Sequence, residues 1–381
     1  LKNSEEYKVP NSTAEQLWKF METDLTEAIT SGKLTSKTSL EDRDGGTRAT
    51  LEAARCLLGK IYLYQEKYAD AKSELEKVIS SGKYDLIADV STFYHPASAG
   101  CKEYVLECVR HYDPSNMYSQ EGWFGILANW GFGYGFIAGP EASMHYKFNT
   151  TSGYSYFNPS KSLYDAFVAE EGADGYRLNA WIRTWEQVIA MNIAVNTTTN
   201  KYASEGYFRL KWLASTDDEF VGYWCGNQSN TPVIRYADVL LMAAEACLQA
   251  GDQAGADEYL GRVRDRARLP RKSHVTLSDI KLERRLELAM EGMRFQDLKR
   301  WGDAPAVLAD KGKKLPTFQI VPDPNNDLTT AAGIYNARYT TKTTYVDNEK
   351  SLAGWTPNRD EWLPFPENEL EVNSNLKQNP G

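Results

Sequence analysis

Cysteine, histidine and long apolar runs are scarce in this sequence. Five cysteines among 381 residues are too few for the disulfide framework of a small secreted domain, and their number is odd. The four histidines lack metal-ligand spacing, and no GxSxG, HExxH, CxxC or GxxxxGK motif is present. No stretch approaches about 18 consecutive apolar residues. These absences argue against a zinc centre, a common hydrolase nucleophile, a phosphate-binding loop and a polytopic membrane protein.

A surplus of basic residues is also missing. The chain has 52 acidic and 43 basic residues and a net charge of −9, which disfavours sequence-independent binding to nucleic acid. Hydrophobic residues at 42% and charged residues at 25% are typical of a globular protein, and the length predicts roughly two or three domains. The unusual feature is the aromatic content of 12%. Such a content is found where proteins contact carbohydrate or peptide, and also where rings fill a core.

Apolar residues recur at helical spacing in the first and last thirds of the chain. Ser12 and Glu15 are predicted to form a capping box at the start of the first helix. The predicted helices cover residues 12–30, 47–65 and 67–80, a pair around 240–247 and 256–263, and a last helix around 279–300.

Small residues at matching positions predict how these helices pair. Gly59 and Ala71 are 12 residues apart, and so are Ala244 and Ala256. A small residue on each of two successive helices allows close contact, as in tetratricopeptide hairpins. The spacing therefore predicts two such hairpins, which we expect to belong to one contiguous helical frame.

The middle of the chain has a different composition. From 101 to 160, 14 of 60 residues are Phe, Trp or Tyr, and glycines are interspersed among them. Sugar rings stack their C–H faces on aromatic rings, while their hydroxyl groups need polar partners. The candidate ligand-binding residues are Trp123, Trp130, Tyr134, Tyr154, Asn129 and Glu121. Core packing is the alternative for each ring, and Trp181, Trp185, Trp212 and Trp224 are second choices.

Other polar patterns have simpler explanations. Glu283, Glu287 and Glu291 are spaced at i, i+4 like a possible catalytic group. Because Arg284, Arg285 and Arg294 lie among them, ion pairing along one helix is predicted instead.

Two further features remain open at this stage. Asp323, Asn325 and Asp327 alternate like the start of a calcium loop. The glycine of an EF-hand is missing, so a solvated turn or a looser calcium site is expected. Cys101 and Cys108 can form a disulfide only if the backbone turns between them.

Four separated motifs resemble those of the SusD/RagB family, and the resemblance runs from one end of the chain to the other. The motifs are 47–64 (TRATLEAARCLLGKIYLY), 233–246 (VIRYADVLLMAAEA) with 263–267 (VRDRA), 283–302 (ERRLELAMEGMRFQDLKRWG), and 363–367 (LPFPE) with 378–381 (QNPG).

The resemblance implies an all-α fold of tetratricopeptide units that carry an irregular ligand-binding region. It also implies a lipid-anchored nutrient-binding protein on the outer surface of a Bacteroidota cell. Such a protein sits on a SusC-like TonB-dependent transporter and delivers glycans, or in some members peptides. Family members are not enzymes, and no cofactor is expected. The ligand contacts vary within the family, so the resemblance does not transfer them.

The resemblance also divides the chain. We expect tetratricopeptide-like helices in 1–100, the aromatic-rich ligand-binding region in 101–236, further such helices in 237–302, and an irregular C-terminal region packed on the frame in 303–381. Family members usually have a long stretch before the first of these helices, so residue 1 is not expected to be the natural N-terminus. A glycoside hydrolase and a plain tetratricopeptide scaffold remain the alternatives from other classes. The identity of the glycan is open.

Overall fold

The computed structural model describes most of the helical frame. The described residues are 8–109, 158–184, 186–187, 201–202, 205–211, 230–327, 329–330, 333, 338–348 and 353–379. In this part of the chain the helices are α1 Ala14–Thr30, α2 Leu51–Tyr64, α3 Tyr68–Ser80, α4 Lys161–Glu171, α5 Tyr176–Trp181, α6 Tyr236–Gln249, α7 Gln253–Arg266, α8 Leu277–Glu287, α9 Arg294–Arg300, α10 Ala304–Val307 and α11 Glu367–Val372. The strands are β1 Tyr104–Cys108, β2 Ile182–Thr184, β3 Lys201–Tyr202, β4 Tyr207–Arg209, β5 Thr231–Arg235, β6 Lys314–Pro322 and β7 Tyr339–Asp347.

The first predicted helix is present, but its capping box was placed one residue too early. Thr13 is the N-cap, and its hydroxyl accepts a hydrogen bond from the backbone N–H of Gln16. The Gln16 side chain accepts from the Thr13 backbone N–H in return, which completes the box. The prediction with Ser12 and Glu15 is therefore wrong, because two capping pairs overlap in this sequence and the second one is used.

The small-residue spacing correctly predicts the α2–α3 hairpin. A Cβ atom built on Gly59 would lie 2.8 Å from Cγ of Leu75 and 3.5 Å from the backbone oxygen of Ala71. Real Cβ atoms do not come within 3.0 Å of another atom, so a larger residue at position 59 would force the Leu75 side chain to move.

The second hairpin, α6–α7, shares one hydrophobic core with the first. Gly255, in the first turn of α7, lies so close to α6 that an added Cβ would be 2.9 Å from the sulfur of Cys247. Ala244 and Ala256 are both fully buried. The shared core contains buried side chains from both hairpins, among them Ala53, Cys56, Leu75, Val78, Leu240, Ala244, Cys247, Ala256, Leu260 and Val263. The expectation of one contiguous helical frame is confirmed.

The last predicted helix, 279–300, is in fact two. Helix α8 ends at Glu287 and α9 begins at Arg294. Between them Met290 and Gly292 have φ angles of 65° and 80°, in the left-handed region where a right-handed helix cannot continue. The apolar spacing persists through this break, which is why periodicity alone did not reveal it.

Short antiparallel sheets join the frame, and the sequence analysis did not predict them. Strand β1 pairs with β5, β2 with β4, and β6 with both β3 and β7. The β6–β7 hairpin is the longest pairing, with Lys314 opposite Asp347 and Phe318 opposite Thr343. A second core cluster includes Phe167 of α4 and Leu178 and Trp181 of α5, and β1, β2 and α8 also contribute to it.

Two further observations concern cysteines and helix length. Cys56, Cys101 and Cys247 are buried free thiols, and Cys108 is an exposed one, so Cys101 and Cys108 are not joined. Within the described ranges, every helix is too short or too polar to cross a membrane.

Candidate functional site

The six predicted ligand contacts fall in residues 110–157 and therefore lie outside the described residues. They are Trp123, Trp130, Tyr134, Tyr154, Asn129 and Glu121. The structure does describe the positions at which this segment and a second one, residues 212–229, join the frame. We call these positions the segment roots: Val109 and Asn158 for the first segment, Lys211 and Asn230 for the second.

The root at the start of the first segment lies beside the root at the end of the second segment. Cys108, the last residue of β1, pairs with Thr231, the first residue of β5. The buried carboxylate of Glu107 accepts hydrogen bonds from the Asn230 side chain at 3.1 Å and from the Gly100 backbone N–H at 2.8 Å. Burial raises the pKa of Glu107 in spite of these bonds. The start of the first segment and the end of the second are thus held together by strand pairing and by one carboxylate.

The other root of the second segment is Lys211, whose ammonium group is buried. Its Nζ lies 2.6 Å from Oε1 of Glu291, 3.0 Å from the backbone oxygen of Glu287 and 3.1 Å from that of Ala289. It also lies 3.7 Å from the centre of the Trp181 ring. Burial lowers the pKa of Lys211 to about 8, although Glu291 opposes this. Lys211 thereby binds carbonyl groups that the end of α8 leaves without helical partners.

Arg235, at the end of β5, reaches the same place from the other side. Its Nη2 lies 2.7 Å from Oε1 of Glu291 and 3.1 Å from Oε1 of Glu287, and its Nη1 lies 2.6 Å from Oε1 of Glu103. Arg266 contacts both Glu103 and Glu287. Strand β5, helix α7 and helix α8 are therefore joined through shared carboxylates.

Arg177 and Arg264 extend this buried charge network. Nη1 of Arg177 lies 3.0 Å from Oε2 of Glu287 and 2.5 Å from Oε1 of Glu283. Nη1 of Arg264 lies 3.2 Å from the other oxygen of Glu283 and 2.6 Å from Glu170. We use the name buried charge network for all of these groups: Glu103, Glu170, Arg177, Lys211, Arg235, Arg264, Arg266, Glu283, Glu287 and Glu291.

The prediction that Glu283, Glu287 and Glu291 pair along their own helix is wrong. Their partners come from other elements, because α8 buries the face that carries them and ends before Glu291. Two of the three nearby arginines have other partners too. Arg284 pairs with Asp238 and Asp297, and Arg285 donates to Ser162.

These carboxylates are placed to hold the fold and not to act on a substrate. Glu287 is fully buried. Burial alone raises its pKa, but Arg266, Arg235 and Arg177 outweigh this and hold the pKa of Glu287 well below its usual range. A general acid needs a raised pKa and reach to the substrate, and Glu287 has neither.

A group of tyrosines lies beyond the remaining root, Asn158; two of them are partly buried against the second core cluster, and the third is exposed. The rings of Tyr164 on α4 and Tyr207 on β4 are stacked, with centroids 4.5 Å apart and planes 26° from parallel. Tyr345 on β7 is 49% exposed and donates a 2.6 Å hydrogen bond to Glu205. Glu205 also accepts from the backbone N–H of Lys161, the first residue of α4, at 2.6 Å. We call Tyr164, Tyr207 and Tyr345 the tyrosine platform; sequence reasoning missed it, because its members are far apart in the chain.

Of the four second-choice tryptophans, one lies in the described part of the chain and three lie outside it. Trp181 is buried, and its Nε1 donates to the backbone oxygen of Val90, so it is a core residue. Trp185, Trp212 and Trp224 lie outside the described residues.

One cluster in the described part has the donor types of a metal site. One ligand atom each of Glu76, Cys247 and Asp252 lies within 4.8 Å of the others. Lys72 already places its ammonium group 2.8 Å from Asp252 and 3.9 Å from Glu76. Burial raises the pKa of Cys247 to about 12, so its thiol is protonated at neutral pH. The positive charge beside these carboxylates is therefore that of the Lys72 ammonium group.

The acidic residues that resembled the start of a calcium loop accept hydrogen bonds from neighbouring residues of the same turn. Asp323 accepts from the backbone N–H and the side chain of Asn325, both at 2.9 Å. Asp327 accepts from the backbone N–H of Thr329 at 2.9 Å and from the hydroxyl of Thr330 at 3.0 Å. These contacts are those of a polar turn.

Comparison with known proteins decides the family. The model of the SusD family matches residues 102–381, which is most of the chain. The chain belongs to the SusD family. One SusD-like protein of Formosa agariphila is 26% identical over 361 residues, which cover 86% of this chain and 59% of that protein. A SusD-like protein of Bacteroides ovatus is 42% identical over 77 residues, 14% of its length. The chain thus spans less than two thirds of the length of these curated relatives.

Solved structures of SusD-like proteins share the fold. A laminarin-binding SusD-like protein superposes with a TM-score of 0.75 at 26% identity, over 100% of this chain and 72% of that one. Surface glycan-binding protein A from Bacteroides thetaiotaomicron, in complex with laminarihexaose, gives a TM-score of 0.70 at 24% identity, over 97% of this chain and 71% of that one. The helical SusD-type fold expected from the sequence motifs is confirmed.

Proposed function

We propose that this SusD-family protein binds a glycan at the cell surface and delivers it to a TonB-dependent outer-membrane transporter. The observation that carries the proposal is the similarity over the whole chain to a laminarin-binding SusD-like protein. The aromatic and glycine-rich composition of residues 110–157 agrees with it, since exposed rings provide stacking surfaces for sugars. A lipid anchor that holds the protein on the outer face of the outer membrane completes the proposal.

The proposed ligand contacts remain those chosen from the sequence. Trp123, Trp130, Tyr134 and Tyr154 would stack on sugar rings, and Asn129 and Glu121 would bind hydroxyl groups. The segment roots support this assignment, because strand pairing and buried ion pairs give both segments a rigid base. Binding residues carried on loops work best when a rigid scaffold positions them.

We expect the protein to retard in a native gel that contains its glycan, with laminarin as the first polysaccharide and starch, xylan and levan as the others. Trp130→Ala and Trp123→Ala should each weaken binding about fivefold, because an aromatic anchor contributes on the order of 1 kcal/mol or more. Trp362→Ala is the matched control, since Trp362 is half exposed and lies in the C-terminal region.

Chromatography of the recovered glycan completes this experiment. We propose that the protein is not an enzyme, so the glycan should keep its length. Full affinity in both tryptophan variants would move the binding site away from residues 110–157. Shortened products would place the protein among the glycoside hydrolases.

The proposed partner is a SusC-like transporter, as membership of the SusD family implies. A permanent complex of this kind should bury more than about 2,000 Å² of surface. When the native membrane is solubilised in mild detergent, an affinity tag on this protein should recover a β-barrel transporter in equal amount. Recovery of the protein alone, with its glycan affinity intact, would show that it works without a permanent partner.

A further inference from the structure

The tyrosine platform brings together three aromatic side chains from remote parts of the chain. Tyr164 and Tyr207 stack on each other. The hydrogen bond to Glu205, together with the nearby Tyr207, raises the pKa of Tyr345 to about 12. Tyr164 and Tyr207 keep part of their surface in water, and Tyr345 keeps about half. Tyr164 and Tyr207 also pack against the second core cluster, so the half-exposed ring of Tyr345 is the main aromatic surface that the group offers to a ligand.

We propose that the tyrosine platform is an accessory subsite for a neutral sugar unit of the bound glycan. This proposal rests on the glycan-binding function proposed above and adds a place of contact outside residues 110–157. The subsite is shallow and lies on the surface, so it fits one unit of a long chain and not a free monosaccharide held in a closed pocket.

The polar groups around the rings suit a polyhydroxylated ligand. A carboxylate can accept about four hydrogen bonds, and Glu205 uses its two oxygens for Lys161 and Tyr345. Asp165, which is half exposed, pairs with the Lys161 side chain at 2.6 Å. Acceptors on both carboxylates therefore remain for sugar hydroxyl groups, beside ring faces for the C–H groups.

The charge of the rim indicates which sugars fit. Glu205 and Asp165 are negative. The Lys161 ammonium group pairs with Asp165, whereas Glu205 accepts from the uncharged backbone N–H of Lys161. The rim has an excess of negative charge, which repels uronic acids and sulfated sugars. A neutral hexose or pentose unit is therefore the expected occupant.

The position of the platform also suits an extended glycan. Helix α4, which carries Tyr164, begins three residues after the root Asn158. In sequence, the platform therefore begins close to the end of the segment that carries the proposed ligand contacts. Several weak contacts along one polysaccharide strengthen binding without any deep pocket.

A purely structural role is the competing explanation. Glu205 links α4 to Tyr345 on the β6–β7 hairpin, so the tyrosines could serve only to hold that hairpin in place. Such a role predicts that substitutions lower the melting temperature and leave glycan affinity unchanged. A subsite predicts the opposite pattern for the exposed ring of Tyr345.

The test compares Tyr345→Ala and Tyr164→Ala with Val346→Ala, in the same native gels with laminarin, starch, xylan and levan. Val346 follows Tyr345 in β7, points to the other face of the hairpin and is 60% exposed, so it is a matched control. Each tyrosine variant should bind the retarding polysaccharide about fivefold more weakly, which corresponds to roughly 1 kcal/mol. Val346→Ala should stay within about twofold of the unmodified chain, and circular dichroism should show that all three variants are folded.

Tyr345→Phe separates the two explanations further. It removes the bond to Glu205 but keeps the ring, so the subsite predicts that most of the affinity remains. If the unmodified chain is retarded and both alanine variants bind as tightly as Val346→Ala, the subsite is disproved and the glycan-binding function stands. If the unmodified chain is retarded by none of the four polysaccharides, the proposed function fails, and the subsite with it.

Discussion

Replacement of Glu287 by alanine is expected to lower the free energy of unfolding by about 3–5 kcal/mol. Its fully buried carboxylate contacts Arg177, Arg235 and Arg266. Removal of this carboxylate leaves guanidinium groups in the interior with too few acceptors. Since natural domains are stable by only about 5–15 kcal/mol, much of the stability would be lost. Urea denaturation followed by circular dichroism measures the change.

An exposed ion pair provides the control. Glu258 lies 2.6 Å from Arg271, and both side chains are about half exposed. Glu258→Ala should cost at most about 1 kcal/mol, because water screens the pair. If Glu287→Ala does not fold, Glu287→Gln keeps the shape and part of the hydrogen bonding and should be intermediate. A cost for Glu287→Ala as small as that for Glu258→Ala would show that the buried charge network does not stabilise the fold.

The pH dependence of this difference is a second check. Arginine neighbours depress the pKa of Glu287 below the value of 4.5 that is typical of a free glutamate. A depressed pKa stabilises the fold fully above pH 4.5, and the effect fades as the pH falls towards the folded-state pKa. The stability difference between the unmodified chain and Glu287→Ala should therefore narrow below that pH.

Trp181→Ala is expected to cost a similar amount, about 3–5 kcal/mol, for a different reason. The Trp181 ring lies edge-on to Phe167 at 6.4 Å, contacts Lys211 and donates to the backbone of Val90. Its loss leaves a cavity, and it also removes the aromatic face beside a buried ammonium group. Thermal and urea unfolding should both show the destabilisation.

Trp362→Ala is the matched control for this substitution. Trp362 is 50% exposed, so its truncation should change the stability by roughly 0.5 kcal/mol or less. Equal costs at the two positions would mean that Trp181 is not part of a tightly packed core.

The helical frame could be predicted because its signals are local. The contact of Gly59 with α3 follows from a spacing that is visible within one hairpin. Boundaries were less certain, because a shift of one residue moved the capping box from Ser12 to Thr13. The break near Met290 left no trace in the apolar pattern, since the two helices that it separates keep burying apolar residues.

The β6–β7 hairpin was missed although its residues favour strands. Strand β7 carries threonines and tyrosines, which are common in sheets, but the long connection between the strands hid their pairing. The chain after residue 303 was therefore expected to be irregular. The structure shows instead that β6 and β7 pair along their whole length as an antiparallel hairpin.

The buried charge network and the tyrosine platform could not be predicted for a common reason. Arg235 and Glu103 are separated by 132 residues, and Tyr345 and Glu205 by 140. Such pairs leave no mark on a single sequence. A clue was available for Glu287, because a leucine stands on each side of this glutamate in the sequence. Composition did indicate the aromatic-rich segment, because a local excess of aromatic residues is visible in the sequence without knowledge of distant contacts.

The segment roots have a consequence for how such a protein can acquire new ligands. Cys108 and Thr231 are fixed by strand pairing, and Lys211 is fixed by Glu291 from within the frame. These contacts are made between residues of the helical frame and its strands. On the function proposed above, an exchange of residues 110–157 or 212–229 at these junctions would change the glycan that is bound and keep the frame, and a laboratory graft can use the same positions.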